Sequence, residues 1–208
     1  MPTLDLKQTL KSLYAPSARA VSAISVPPLR YLMIDGSGDP NTARRYRDAV
    51  GALYGLAYAV RALAKEAGEV FTVMPLEGLW TFAGAPVEDF QLTSADKDRF
   101  IWTLMILQPE TVDAALVERA RQRAAKGKPA PALLDDLRFA LYDEGEAVQI
   151  MHIGPYDAEG PTIARLHDHI ARNGWALSGK HHEIYLSDPR RTPPEKMKTV
   201  LRQPFARS

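Results

Sequence analysis

The chain reads as an α+β fold. A tandem strand–helix–strand–strand repeat forms one curved antiparallel sheet, with two long helices on one face and a central groove. Three observations predict it. An apolar strand, Leu29 to Ile34 (LRYLMI), breaks at Asp35-Gly36-Ser37-Gly38 and passes through Asp39-Pro40 into a long helix. A second strand, Ala147 to Ile153 (AVQIMHI), breaks at Gly154-Pro155 and passes through Pro161 into another helix. Each helix is followed by two or more strand-like runs, so two halves, about 23–107 and 138–208, repeat one outline across a helical connection at 108–137. The 208 residues are expected to form a single domain.

Taken in order, residues 4–14 read as a short leader helix that Pro16 ends, and Ser17 to Pro28 as a tether. The helix from about Asn41 to Ala67 carries Tyr46, Val50, Leu53, Ala57, Val60 and Ala64 at the 3.6 period of a core-facing stripe. Gly51 and Gly55 interrupt it, each at a cost of roughly 1 kcal/mol against Ala, which points to close backbone approach or room for a ligand. Val70 to Met74 and Leu79 to Phe82 are strand-like, and Arg99 to Leu107 (RFIWTLMIL) is apolar on both faces, as a covered central strand would be. Thr111 to Ala125 is helical, and Leu137 to Tyr142 returns to strand. In the second half, Ile163, Leu166, His167 and Ile170 recur at helical spacing until Asn173-Gly174 stops them. His182 to Leu186 and Thr199 to Arg202 are the closing strands.

Composition excludes several function classes. A net charge of +1 with both signs interspersed suggests neither nucleic acid nor an anionic membrane surface as partner. The basic series Arg119, Arg121, Arg123, Lys126 and Lys128 reads as a solvated helix face. Cysteine is absent, which removes disulfides, thiolate metal sites and a cysteine nucleophile. The N-terminus lacks the apolar core of a signal peptide, and no apolar run approaches the ~18 residues that span a bilayer. A cytoplasmic protein is expected.

The strongest functional lead is Glu183 beside Tyr185. Period-two alternation puts both on one face of a strand whose neighbours, Ile184 and Leu186, are apolar. The plain alternative is an edge strand with its polar face in water. A buried carboxylate, by contrast, must be hydrogen-bonded or await a cation, and desolvation raises its pKa toward general-base range. His181-His182-Glu183 also invites a metal reading. Alternation separates His182 from the other two, however, so no metal and no organic cofactor is expected. Gly36-Ser37-Gly38 matches neither dinucleotide nor phosphate-loop spacing, and no GxSxG nucleophile motif is present.

Six phrases, LMIDGSGDPN, AVGALYGLAYAV, MPLEGLW, VQIMHIGPYDAE, HHEIYLSDPRR and TVLRQPF, resemble the GyrI-like small-molecule-binding family, specifically its stand-alone bacterial members, from about Asp5 to Phe205. The resemblance implies the tandem repeat and kinship with the effector-binding domains of multidrug-sensing regulators. In those domains a pocket carboxylate at the position of Glu183 meets cationic aromatic drugs. It also implies that a hydrolase of cyclopropane-bearing, DNA-alkylating compounds is within reach, since some stand-alone members are such enzymes. The DNA-binding helices of the regulators are absent here. By motif the positions carried over are Glu183 and Tyr185 (HHEIYLSD), Tyr156 (HIGPYD), Glu77 and Trp80 (LEGLW), and Trp102 (FIW).

On this reading Glu183 activates water, and Tyr185 or Tyr156 supplies a proton to the substrate oxygen. Trp80 and Trp102 hold an aromatic plane, although both are equally suited to core packing. Glu77 lies on the opposite side from Trp80 by strict alternation and reaches the groove only through a bulge at Gly78. Tyr54 and Tyr58, at i and i+4, line the pocket or pack the helix onto the sheet. A sensor or sequestering protein with the same pocket is the alternative to an enzyme.

Overall fold

A computed structural model of the chain describes residues 3–84 and 97–207. The first repeat runs β2 (Leu29–Ser37), α3 (Arg44–Glu66), β3 (Glu77–Phe82) and β4 (Phe100–Leu107). The second runs β6 (Gly145–Ile153), α5 (Gly160–Arg172), β8 (His181–Tyr185) and β9 (Lys198–Arg207), with a short β7 (Trp175–Leu177) inserted before β8. Around them lie α1 (Leu6–Thr9), α2 (Lys11–Tyr14), β1 (Ser22–Val26), α4 (Ala114–Ala125) and β5 (Arg138–Tyr142).

The strands form an antiparallel sheet in the order β1-β6-β9-β8-β3-β4-β2-β5, with β7 paired to β9. Its inner six strands are two mirrored triplets that meet at a β8–β3 seam, where Gly78 lies opposite Glu183. β1 and β2 sit toward opposite margins yet are joined by only Pro27-Pro28, and β5 and β6 by only Asp143-Glu144. Links that short cannot cross an open sheet of eight strands, so the sheet curls until its margins approach.

Both long helices pack on one face. α3 buries Leu53, Ala57, Val60 and Ala64 of the expected stripe, together with Ala49, Ala52 and Leu56, against Leu32, Ile34 and Leu104, while Tyr46 and Val50 are only half-buried. α5 begins at Gly160-Pro161, as a first-turn proline favours, and buries Ile163, Leu166 and Ile170 against Val148, Ile150, Leu201 and Phe205. Asp113 caps α4 through the amide of Leu116. Gly55 permits close approach, since a Cβ there would stand 2.9 Å from Pro131, whereas a Cβ at Gly51 would meet open space.

Four expectations need correction. The leader helix is two single turns broken at Leu10, and the supposed tether contains β1. Residues 70–74 form no strand beyond one bridge of Phe71 to Leu4, and the last strand extends well past Arg202. The strand errors come from pairing partners distant in sequence, which set strand existence and length beyond local propensity. No helix among the described residues is long and apolar enough to cross a membrane.

Candidate functional site

Alternation divides the chemistry between two faces. Glu183 and Tyr185 on β8, Gly78 and Trp80 on β3, and Trp102 on β4 are in register and share the face covered by the helices. Glu183 is only 4% exposed. Its Oε2 accepts a hydrogen bond from the Tyr185 hydroxyl at 2.8 Å, and the Tyr185 oxygen accepts one from Trp80 Nε1 at 3.0 Å. Glu183 Oε1 is buried without a hydrogen bond among the described residues, 3.7 Å from His181 Nε2. Burial pushes the Glu183 carboxyl up to about 7, tempered by the Tyr185 hydrogen bond and the nearby His182. Burial holds His181 neutral, down to about 3. The face therefore presents a dry carboxyl that can exchange a proton near neutrality, with one oxygen uncommitted.

Aromatic side chains wall this acid. The Trp102 ring lies flat over Gly36, its cross-strand partner, and the Trp80 indole folds back over Gly78 to reach Tyr185. From α3, Tyr46 meets Trp102 edge-on at 5.3 Å and Trp80 at 6.1 Å. Phe100 meets Trp80 edge-on at 5.4 Å. Tyr156 follows the Gly154-Pro155 break and packs edge-on against Tyr185 at 5.5 Å, its hydroxyl pushed up to about 12 chiefly by burial. Tyr54 and Tyr58 stack on each other at 6.3 Å on α3, Tyr54 half-buried and Tyr58 56% exposed.

Glu77 lies elsewhere. The β3 register runs without a bulge, so Glu77 points to the opposite, inner face, where it is fully buried. It accepts from the Tyr14 hydroxyl at 2.6 Å and sits 3.0 Å from His182 Nε2. His182 Nδ1 contacts Glu144 at 2.8 Å, and Glu144 in turn is held by Arg202 at 2.8 Å. Glu77 thus belongs to an interior ion cluster, because Gly78 relieves crowding under Trp80 instead of adding a residue to the strand. His182 is drawn into the same cluster, away from His181. Among the described residues no group of three or more acids and histidines is placed to hold a metal ion.

The structure adds residues that sequence reasoning missed. Glu159, at the start of α5, is 1% exposed and does not cap the helix with its side chain. Its Oε1 is buried without a hydrogen-bond partner among the described residues, and burial, with repulsion from Glu183, raises its carboxyl well above the usual range. An acid just before a helix ordinarily signals a solvated cap, which hid it. Tyr46 was legible only as one member of the α3 stripe.

Over residues 20–205 the chain matches the GyrI-like small molecule binding domain. An uncharacterized conserved protein from Listeria innocua superposes with a TM-score of 0.89 at 38% identity, covering 98% of this chain and 100% of that one. A protein described as a hydrolase, also from Listeria innocua, superposes with a TM-score of 0.83 at 37% identity over 98% of this chain and 100% of that one. The C-terminal domain of EcmrR, at 11% identity and a TM-score of 0.51 over 91% of this chain and 98% of that one, shares the fold alone. No curated protein matches the sequence. With nearly its whole length matched and its paired strand–helix–strand–strand halves in place, the chain belongs to the GyrI-like small-molecule-binding family.

Proposed function

We propose that this protein binds hydrophobic aromatic small molecules, cations among them, on the helix-covered face beside Glu183, and hydrolyses strained cyclopropane-bearing compounds of the DNA-alkylating type. The observation that carries this reading is the buried Glu183 carboxyl with one uncommitted oxygen among aromatic rings. The 37% identical protein described as a hydrolase supports the reaction class. The substrate is a cyclopropane conjugated to a carbonyl. Water, deprotonated by Glu183, bonds to the ring methylene carbon, and the strained C–C bond breaks. Its electron pair passes through the conjugated system to the carbonyl oxygen, which becomes a phenol on taking a proton. Tyr185 has its hydrogen committed to Glu183, so it orients the base, and Tyr156 is the proton donor. Glu183 passes its proton through solvent to the Tyr156 phenolate, so both residues are restored and the net change is addition of one water. Trp80 and Trp102 hold the aromatic plane and keep bulk water out, which strengthens each of these contacts. No cofactor takes part.

A non-catalytic sensor or sequestering protein is the second reading, since an uncommitted buried carboxylate oxygen among rings also suits a cation held without turnover. Purified protein incubated with a cyclopropane-bearing alkylator separates the two, with ring-opened product followed by mass spectrometry. Turnover that Glu183→Gln abolishes while retaining most of the affinity supports the enzyme. Binding by the wild type without product favours the sensor.

A further inference from the structure

The inner face of the sheet carries a second feature that the Glu183 chemistry does not use. Between β5 and the turn that enters β8 lies a cavity of about 670 Å³. Met33, Leu79, Ile101 and Pro204 give it apolar walls. Its charged groups are unequally matched. Asp35 is held by Arg138 at 2.5 and 3.0 Å and by the Thr103 hydroxyl at 2.6 Å. Glu144 is held by Arg202 and His182, each at 2.8 Å. Lys180 donates to Thr103 Oγ1 at 3.3 Å and forms no ion pair among the described residues, although Asp143 stands on the lining. One ammonium that forms no ion pair therefore overlooks an apolar floor, beside two carboxylates, Asp35 and Glu144, that are already held.

We propose that this cavity is a second binding site, for an amphipathic organic monoanion whose carboxylate or sulfonate pairs with Lys180 and whose apolar body lies on Met33, Leu79 and Ile101. Lys180 selects the class, as the lining cation that forms no ion pair among the described residues, and a polyphosphate would meet Asp35, Asp143 and Glu144 with that single ammonium. The two sites share backbone, since Leu79 and Trp80, Thr103 and Trp102, and Lys180 and His181 alternate between the faces. Binding here is nevertheless independent of the Glu183 chemistry.

Titration calorimetry with 2-naphthoate and its neutral isostere 2-naphthamide tests it on the full chain. The naphthoate is expected to bind at least about tenfold more tightly than the amide. Lys180→Met is expected to erase that difference, Lys180→Arg to retain it, and Glu183→Gln to leave it unchanged. Absence of naphthoate binding to the wild type overturns the proposal. So does equal affinity for acid and amide, or a naphthoate affinity that follows Glu183→Gln and ignores Lys180→Met. Because the Glu183 variant is one arm, failure of this site is distinguishable from failure of the other.

Discussion

Tyr185 donates its hydroxyl hydrogen to Glu183 at 2.8 Å, and the same oxygen accepts the Trp80 indole N–H at 3.0 Å. The acid is thereby fixed by a side chain whose own rotation is fixed by a third. Desolvation and this hydrogen bond pull the carboxyl in opposite directions, and desolvation wins, leaving it at about 7.

Removing the hydroxyl shifts that balance. In Tyr185→Phe burial acts without the hydrogen bond, so the Glu183 carboxyl titrates at higher pH. Ring-opening by a general base needs the ionised form, so the wild-type rate is expected to rise with pH through about 7. The Phe variant is expected to show the same limb displaced to higher pH, with activity at neutral pH reduced about tenfold. A pH–rate profile checks it. An undisplaced limb would mean that the titrating group is not Glu183.

The raised carboxyl also makes a stability prediction. Unfolded, Glu183 titrates near 4.5; folded, near 7. Between those values the native state holds a proton that the unfolded chain has lost. Its contribution therefore weakens stability as pH rises through the window, with the full penalty above about 7. Glu183→Gln never carries that charge. The variant is expected to be more stable than the wild type at about pH 8, by about 3 kcal/mol, and to lose most of that advantage near pH 4.5. Thermal melts of both proteins at the two pH values measure it.

Gly78 is the hinge of the aromatic arrangement. A Cβ at this position would stand 2.6 Å from Trp80 Nε1 and 3.1 Å from the Tyr185 oxygen. Gly78→Ala is therefore expected to push the indole off Tyr185, changing Trp80 emission and lowering turnover well beyond the roughly 1–3 kcal/mol of stability that overpacking costs. Gly36→Ala places its Cβ inside the Trp102 ring and is expected to destabilise more severely. Tryptophan fluorescence of the two variants, read against a double variant lacking Trp80, distinguishes the two sites of damage.

The repeat was legible because each half announces itself locally: an apolar run, a glycine break, then a 3.6-period stripe. The shared face of Glu183 and Tyr185 followed from period two alone. What sequence could not supply was partnership across the sheet. Glu77 looks like a pocket acid in LEGLW, yet its face is decided by an uninterrupted register with Met105 and Ile184. Glu159 looks like a solvated helix start, and its burial depends on where β9 brings Thr199 beneath α5. β1 is too polar to read as strand, and exists because β6 offers it a free edge.

The interior cluster that claims Glu77 carries its own prediction. Burial alone would raise the Glu144 carboxyl, but His182 and Arg202 pull it down to about 2. His182 behaves conversely: burial opposes its charge, and Glu144 and Glu77 outweigh burial to raise it. Arg202 also donates to the Leu13 carbonyl at 2.9 Å, and Tyr14 to Glu77 at 2.6 Å, so the cluster clamps α2 across the inner face. Glu144→Gln strands a buried guanidinium and is expected to cost about 3–5 kcal/mol at neutral pH. Tyr14→Phe removes a single hydrogen bond to a charged group and is expected to cost about 1.5–3 kcal/mol. Because the folded Glu144 value lies below its unfolded 4.5, its stabilisation is complete above that pH and is lost as pH falls toward 2. Urea unfolding of wild type and Glu144→Gln should therefore differ by the full amount at pH 7 and converge at the acid end of that range. A gap that stays constant down to the lowest pH would assign the stabilisation to packing around the side chain and not to its charge.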